Sequence, residues 1–129
     1  MKSNTDLKIG LALGSGGAKG LAHIGVLKSL KKADLDINFI SGSSIGALVG
    51  AYYSAHPDLK ELEELVLSFN KRKGYALFDP TLRGGLLKGD KIETLISEFL
   101  DGATFENLRI LFAAIATDVK TAQEVVLDN

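Results

Sequence analysis

Gly42-Ser43-Ser44-Ile45-Gly46 reads as G-x-S-x-G. In that pattern a sharp strand-to-helix turn lifts one serine hydroxyl above a sheet edge, and glycines two positions to either side relieve backbone crowding. Ser44 is the candidate nucleophile, and the chemistry it suggests is acyl transfer through a serine ester. Five residues alone are a weak signal. Their setting strengthens it, because an apolar run, Ile37 to Ser41, precedes them and a small-residue apolar segment, Ala47 to Ala55, follows. The bland alternative is that Gly42 and Ser43 only turn the chain and cap a helix.

A second glycine turn, Gly14-Ser15-Gly16-Gly17-Ala18-Lys19-Gly20, can point backbone N–H groups at an anion. Three readings compete. A nucleotide P-loop needs Gly-Lys followed by Ser or Thr, and the order here is Lys19-Gly20-Leu21. A phosphate- or dinucleotide-binding turn needs G-x-G-x-x-G, which either ends on Lys19 or begins on Ser15, so that reading is weakened and stays open. The third is an oxyanion hole in which the N–H groups of Gly16 and Gly17 hold the charge that develops when Ser44 attacks an ester. It accounts for both turns together, since neighbouring parallel strands end at one sheet edge.

A serine hydroxyl needs a base. The His after Ser44, His56, sits in a helix-ending His-Pro pair, which does not fit the Ser, Asp, His order of α/β-hydrolases. His56 reads as a helix C-terminal residue, and His23 as a packing or hydrogen-bonded residue of the first helix. Among the loop carboxylates, Asp90 reads as a cap and Asp79, Asp118 and Asp128 as turn or terminal residues. None is assigned as the base.

The elements that position these residues follow from hydrophobic spacing. Leu7 to Leu13 predicts a buried strand, and Leu21, Ile24, Leu27 and Leu30 a half-buried helix. Ile37 to Ser41 and Ala47 to Ala55 repeat the plan as strand and helix. Asp58 caps a third helix, Leu59 to Asn70, with an apolar stripe of Leu62, Leu65, Val66 and Phe69 opposite Lys60, Glu61, Glu63 and Glu64. Lys71 to Gly89 reads as irregular, with Lys71, Arg72 and Lys73 near Tyr75 and Phe78, the Asp79-Pro80 turn signal and Gly84-Gly85. Asp90 to Leu100 is a fourth helix, with Glu93 completing a capping-box pattern. Arg109 to Thr117 and Glu124 to Leu127 read as buried strands joined in a hairpin through Asp118 to Gln123. Alternating strands and helices predict a mainly parallel sheet. A sheet stopping at Leu127 has an uncovered edge and face, so the chain is expected to be the front of a longer domain.

The whole chain sets bounds on this chemistry. Its 129 residues make one domain at roughly 100 to 200 residues each. Hydrophobic residues are 46% and charged residues 24%, enough for a core and inconsistent with disorder. A formal net charge of −1 supplies no global field for nucleic acid, which is not expected as a partner. Without Cys there is no thiol nucleophile, disulfide or cysteine-ligated zinc, and 2 His make a weak metal set. The longest apolar stretch, Ile110 to Ala116, is far below the roughly 20 residues of a membrane span. Met1 to Asp6 lacks the apolar core of a signal peptide, which predicts a cytoplasmic chain.

Taken in order, LALGSGGAKGLAHIGVLKSL, ISGSSIGALVGA, GLLKGDKIETLI and LRILFAAIATDVKTAQEVVLD resemble the bacterial patatin-like phospholipase family, over Leu7 to Asp128. The resemblance implies a three-layer α/β/α fold, with residues 1–10 entering the first strand and 11–129 forming a patatin-like domain incomplete at its C-terminal end. It implies a lipid acyl hydrolase working by a Ser-Asp dyad on a lipid ester, with no metal and no nucleotide cofactor. By it, Ser44 is the nucleophile, Gly16 and Gly17 supply oxyanion N–H groups, and Lys19 fills the family's basic position. Ser15 departs from the family's more frequent Gly. The family's dyad aspartate lies in a downstream Asp-Gly-Gly or Asp-Gly-Ala motif that is missing here, since Asp101-Gly102-Ala103 falls before the third strand and reads as a helix-terminating turn. If these residues are the whole polypeptide, little or no esterase activity is expected. A non-catalytic remnant that keeps the fold is the further alternative. The Lys71 to Lys73 cluster with Tyr75 and Phe78 allows peripheral contact with an anionic membrane, against a plain solvated loop, and oligomeric state is left open.

Overall fold

The computed structural model describes residues 7–73 and 89–129. In chain order these form β1 (Ile9–Leu13), α1 (Ala22–Lys32), β2 (Ile37–Gly42), α2 (Ile45–Ala55), α3 (Leu59–Lys73), α4 (Gly89–Phe99), β3 (Leu111–Thr117) and β4 (Glu124–Leu127). Short 3-10 turns at Gly17–Leu21 and Phe105–Asn107 precede α1 and β3. The sheet runs β1-β2-β3-β4, parallel for the first three strands and antiparallel between β3 and β4. This is the α/β architecture expected, hairpin included.

Crossovers between parallel strands are right-handed, so strands added in one direction keep their connecting helices on one face. On that face Leu13, Ile40 and Phe112 pack under Ile45, Val49, Tyr52 and Tyr53 of α2, and α1 and α3 close the core with Ile24, Leu27, Leu59 and Leu62. Helix α2 is apolar nearly all round because it is wedged between sheet and helices. The other face carries a row set by register, Gly10 beside Phe39 beside Leu111, with Val126 on the same side through Ile115. Phe39 is 40% exposed, Leu111 72% and Val126 50%. The described residues thus provide the sheet and one helical layer, and leave the uncovered face that the strand pattern implied.

Asp58 does cap α3: its Oδ1 accepts from the N–H groups of Lys60 and Glu61 at 2.9 and 3.0 Å. Those two backbone donors, Glu61's first, hold its carboxyl below the usual carboxylate range. Lys71 to Lys73 prove helical, not irregular, since α3 runs on through them. Phe69, Tyr75, Phe78, Asp79-Pro80 and Gly84-Gly85 lie outside the residues or side chains described, as does the capping box at Asp90. Strands β1 and β3 begin two residues later than the apolar runs suggest. Strand β4 is exposed along its length rather than buried, because among the described residues it pairs on β3 alone.

Candidate active site

Pairing of β1 with β2 places Leu13 opposite Gly42, so the turns after the two strands leave the sheet at one edge. They are also bonded. The Ser43 N–H donates to the Leu13 carbonyl at 3.1 Å, and the hydroxyls of Ser15 and Ser43 lie 3.0 Å apart.

Both glycines of the Gly42 to Gly46 pattern are demanded by backbone contact. A Cβ on Gly42 would stand 2.5 Å from the Gly46 carbonyl oxygen. One on Gly46 would stand 2.6 Å from the Gly14 carbonyl oxygen and closer still to that of Leu13. The second strand therefore feeds α2 directly, which is why α2 begins at Ile45, two residues before the apolar segment predicted, and why Ile45 is a buried helical residue.

Ser44 joins strand to helix with φ 53° and ψ −126°. Those are the angles of the first central residue of a type II′ turn, where glycine normally stands. A side chain held there costs about 1–3 kcal/mol and persists only when its surroundings fix it. Here they do: Gly46 N–H donates to the Ser43 carbonyl at 3.0 Å, and Ala47 and Leu48 donate to that of Ser44 at 2.9 and 3.2 Å. Ser44 occupies the N-cap position yet makes no side-chain capping bond, and it is exposed. The Ser43 hydroxyl is turned to Ser15. The plain capping alternative fails on both counts.

The first turn departs from a simple loop. After Gly14 to Gly16 the chain enters the 3-10 turn, with Gly17 at φ 53°. The first N–H groups of such a turn have no acceptor within it, and among the described residues none takes those of Gly16 or Gly17. Lys19 is exposed, and its N–H donates to the Gly16 carbonyl at 3.1 Å. Gly20 is buried against Ile45, whose Cγ2 a Cβ would strike. His23 donates from Nε2 to the Gly14 carbonyl at 2.8 Å, so the hydrogen-bonded reading of this residue holds. Sequence reasoning missed that His23 and Ser15 brace this turn. Only their spacing from the glycines hinted at it.

His56 caps the other end of α2, about 18 Å from Ser44 along the axis, with its ring centroid 5.3 Å from that of Tyr52. Burial first, then the nearby Glu61 carboxylate, pushes the Tyr52 hydroxyl up to about 12. Two of the loop carboxylates, Asp58 and Asp118, are engaged by backbone amides. Asp118 accepts from the N–H groups of Thr121 and Lys120 at 2.9 and 2.8 Å, which holds its carboxyl low, the opposite of a base poised near neutrality. Asp101 and Gly102, with φ 51° and 68°, end α4, and Gly102 N–H bonds the Ser97 carbonyl at 3.0 Å. This is a helix C-terminal motif, as the sequence suggested for Asp101-Gly102-Ala103. Among the described residues no group of three or more His, Asp or Glu could hold a metal ion, and no helix is long and apolar enough to cross a membrane.

The family described as patatin-like phospholipase matches residues 11–128. An uncharacterized NTE family protein of Mycobacterium tuberculosis is 36% identical over 126 residues, 97% of this chain and 35% of that protein. A patatin-like phospholipase domain-containing protein of Caenorhabditis elegans is 34% identical over 119 residues, 89% of this chain and 9% of its own length. Neuropathy target esterase of Drosophila grimshawi is 32% identical over 119 residues, 89% of this chain and 8% of its own. The chain thus spans about a third or less of these relatives.

Proposed function

Because the chain belongs to the patatin-like phospholipase family, we propose that it is the part of a lipid acyl hydrolase that carries the nucleophile, Ser44, and the oxyanion amides of Gly16 and Gly17. The observation that carries this is the exposed Ser44, held at φ 53° on a turn bonded to the glycine turn beside it. A strained position that glycine would fill more cheaply is kept for a hydroxyl, which points to a use for the hydroxyl. The names of the esterase and phospholipase relatives support an ester of a lipid as substrate.

In the reaction, the Ser44 hydroxyl gives its proton to a carboxylate base and its oxygen bonds to the ester carbonyl carbon. The carbonyl oxygen takes the negative charge and lies against the N–H groups of Gly16 and Gly17, where one lost donor costs about 10²- to 10³-fold in rate. The alcohol leaves with the proton, and water then releases the fatty acid from Ser44. No carboxylate of the described residues is assigned as this base, and the chain spans about a third of its mycobacterial relative. Lys19 lends positive charge to the same edge.

The test is labelling by an alkyl fluorophosphonate mapped by peptide mass spectrometry. In the longer protein that supplies the aspartate base, modification is expected at Ser44 and absent in Ser44→Ala. Ester hydrolysis is expected only from the longer protein that adds a downstream Asp-Gly-Gly or Asp-Gly-Ala segment. Labelling that survives Ser44→Ala, or none in either form, overturns the assignment.

A further inference from the structure

Three separate pieces of the chain meet at the sheet edge that carries Ser44. Strand β3 runs past the level of that turn: Ala114 is the register partner of Gly42, and the strand continues to Thr117, about 10 Å further at 3.3 Å per residue. The hairpin loop 118–123 therefore stands beyond the serine turn. Helix α3 returns to the same edge. Lys28 of α1 pairs with Glu63 at 2.5 Å and Lys31 donates to the Pro57 carbonyl at 3.2 Å, so the two helices run antiparallel. The last turn of α3, with Lys71, Arg72 and Lys73 in its sequence, thus ends level with the glycine turn that leads into α1. Lys19 lies exposed on that glycine turn.

The hairpin tip is braced and apolar. Asp118 Oδ1 accepts from Lys120 and Thr121 N–H, and the Asp118 carbonyl accepts from Ala122 N–H at 2.8 Å, so the loop's carboxylate is bound up in its own backbone. Val119 is 95% exposed, the most of any large apolar residue among those described, at a place where turns ordinarily carry Gly, Asn, Asp, Pro or Ser. Lys120 is exposed beside it, and Glu124 is the acidic residue behind the loop, opposite Thr117. An apolar side chain held out in water among cations matches the boundary of a bilayer, where it enters the acyl region while the cations meet headgroup phosphates. The cations come from three elements, which fits a surface whose anionic groups adjust laterally rather than one fixed ligand.

We infer that this edge docks on an anionic lipid bilayer, with Val119 inserted at the hairpin tip and Lys120, Lys19 and the end of α3 against the headgroups. This goes beyond the acyl hydrolase reading, since the docking stands whether or not Ser44 reacts. It names the surface from which a lipid ester would reach the serine turn.

The chain has no Trp, so Val119→Trp supplies a single reporter. With vesicles of phosphatidylcholine and phosphatidylglycerol in equal parts, its emission is expected to shift to the blue and to be quenched by brominated acyl chains. A reporter from Leu35→Trp, in the turn between α1 and β2 at the opposite edge, is expected to stay in water. Co-sedimentation of the unmodified chain with the same vesicles gives the affinity without a reporter. Phosphatidylcholine alone should bind about tenfold or more weakly, and Lys120→Gln should weaken binding to the mixed vesicles about fivefold. Val119→Ser should weaken it about tenfold. No co-sedimentation, or equal quenching at positions 119 and 35, overturns the docking. So does emission at position 119 that is already blue-shifted in buffer and reverts on dilution, which would give the tip to a second copy of the chain. Quenching at the tip with no fluorophosphonate on Ser44 in the longer protein leaves the lipid face standing and removes the hydrolase reading.

Discussion

Two turns follow two adjacent parallel strands, and both pass through a residue at φ 53°. In the first that residue is Gly17, in the second Ser44. Glycine accepts this conformation at no steric cost. Serine does not, and in the second turn the strain is retained at Ser44, whose hydroxyl makes no capping bond. The first turn is long and built of backbone, with a 3-10 turn whose leading N–H groups are left open. The second is compressed between Gly42 and Gly46, with Ser44 standing exposed between them. On the proposed reading one turn offers amides and the other a nucleophile, and the same φ serves opposite ends.

The comparison breaks first at the glycines. A methyl on Gly46 meets two backbone carbonyl oxygens, those of Leu13 and Gly14, which cannot move without unpairing the strand end. Gly46→Ala should cost about 3 kcal/mol or more, the upper part of the overpacking range, and should lower the urea midpoint accordingly. Gly20→Ala meets a side chain instead, the Cγ2 of Ile45. Its cost should be about 1–2 kcal/mol, and most of the added penalty should vanish in a double variant with Ile45→Ala, measured as a double-mutant cycle. Equal losses at both sites would mean that the second turn is no tighter than the first.

Exchanging residue types at the shared φ sharpens the comparison with smaller effects. Gly17→Ala should destabilise by about 1 kcal/mol, since an L side chain is strained there. Ser44→Gly should stabilise by roughly 1 kcal/mol, the relief of strain less the extra chain entropy of glycine, while abolishing fluorophosphonate labelling. Opposite signs in thermal melts are the expected outcome. A loss of stability in both would show Ser44 to be an ordinary turn residue.

Much of this pairing was legible in the sequence because glycine spacing and apolar runs are local signals. Ile37 to Ser41, the Gly42 to Gly46 pattern and the apolar segment after it fix strand, turn and helix almost to the residue. Boundaries that depend on tertiary contact were less legible. Helix α2 starts at Ile45 because Gly46 must tuck under the end of β1, a demand that no residue near it announces. The exposure of β4 reflects which neighbours it has, not its Val125 and Val126. Likewise the bonds from His23 to Gly14 and from Ser15 to Ser43 join residues 9 and 28 positions apart, and composition does not encode such pairs.

The Ser15 to Ser43 contact yields the smallest stability effect and the sharpest distinction. It is a hydroxyl pair at the surface, 3.0 Å apart, so water replaces either partner readily. Ser15→Ala should therefore change stability by no more than about 0.5 kcal/mol, the low end for a hydrogen bond. Yet it is a side-chain link between the glycine turn and the serine-bearing turn, and in the proposed reaction their relative placement governs how well an oxyanion meets its donors. Fluorophosphonate labelling of Ser44 should slow about three- to tenfold, and Ser15→Thr, which keeps the hydroxyl, should restore it. If stability falls while labelling holds, the bond serves only the fold, and the two turns act as independent pieces of one edge.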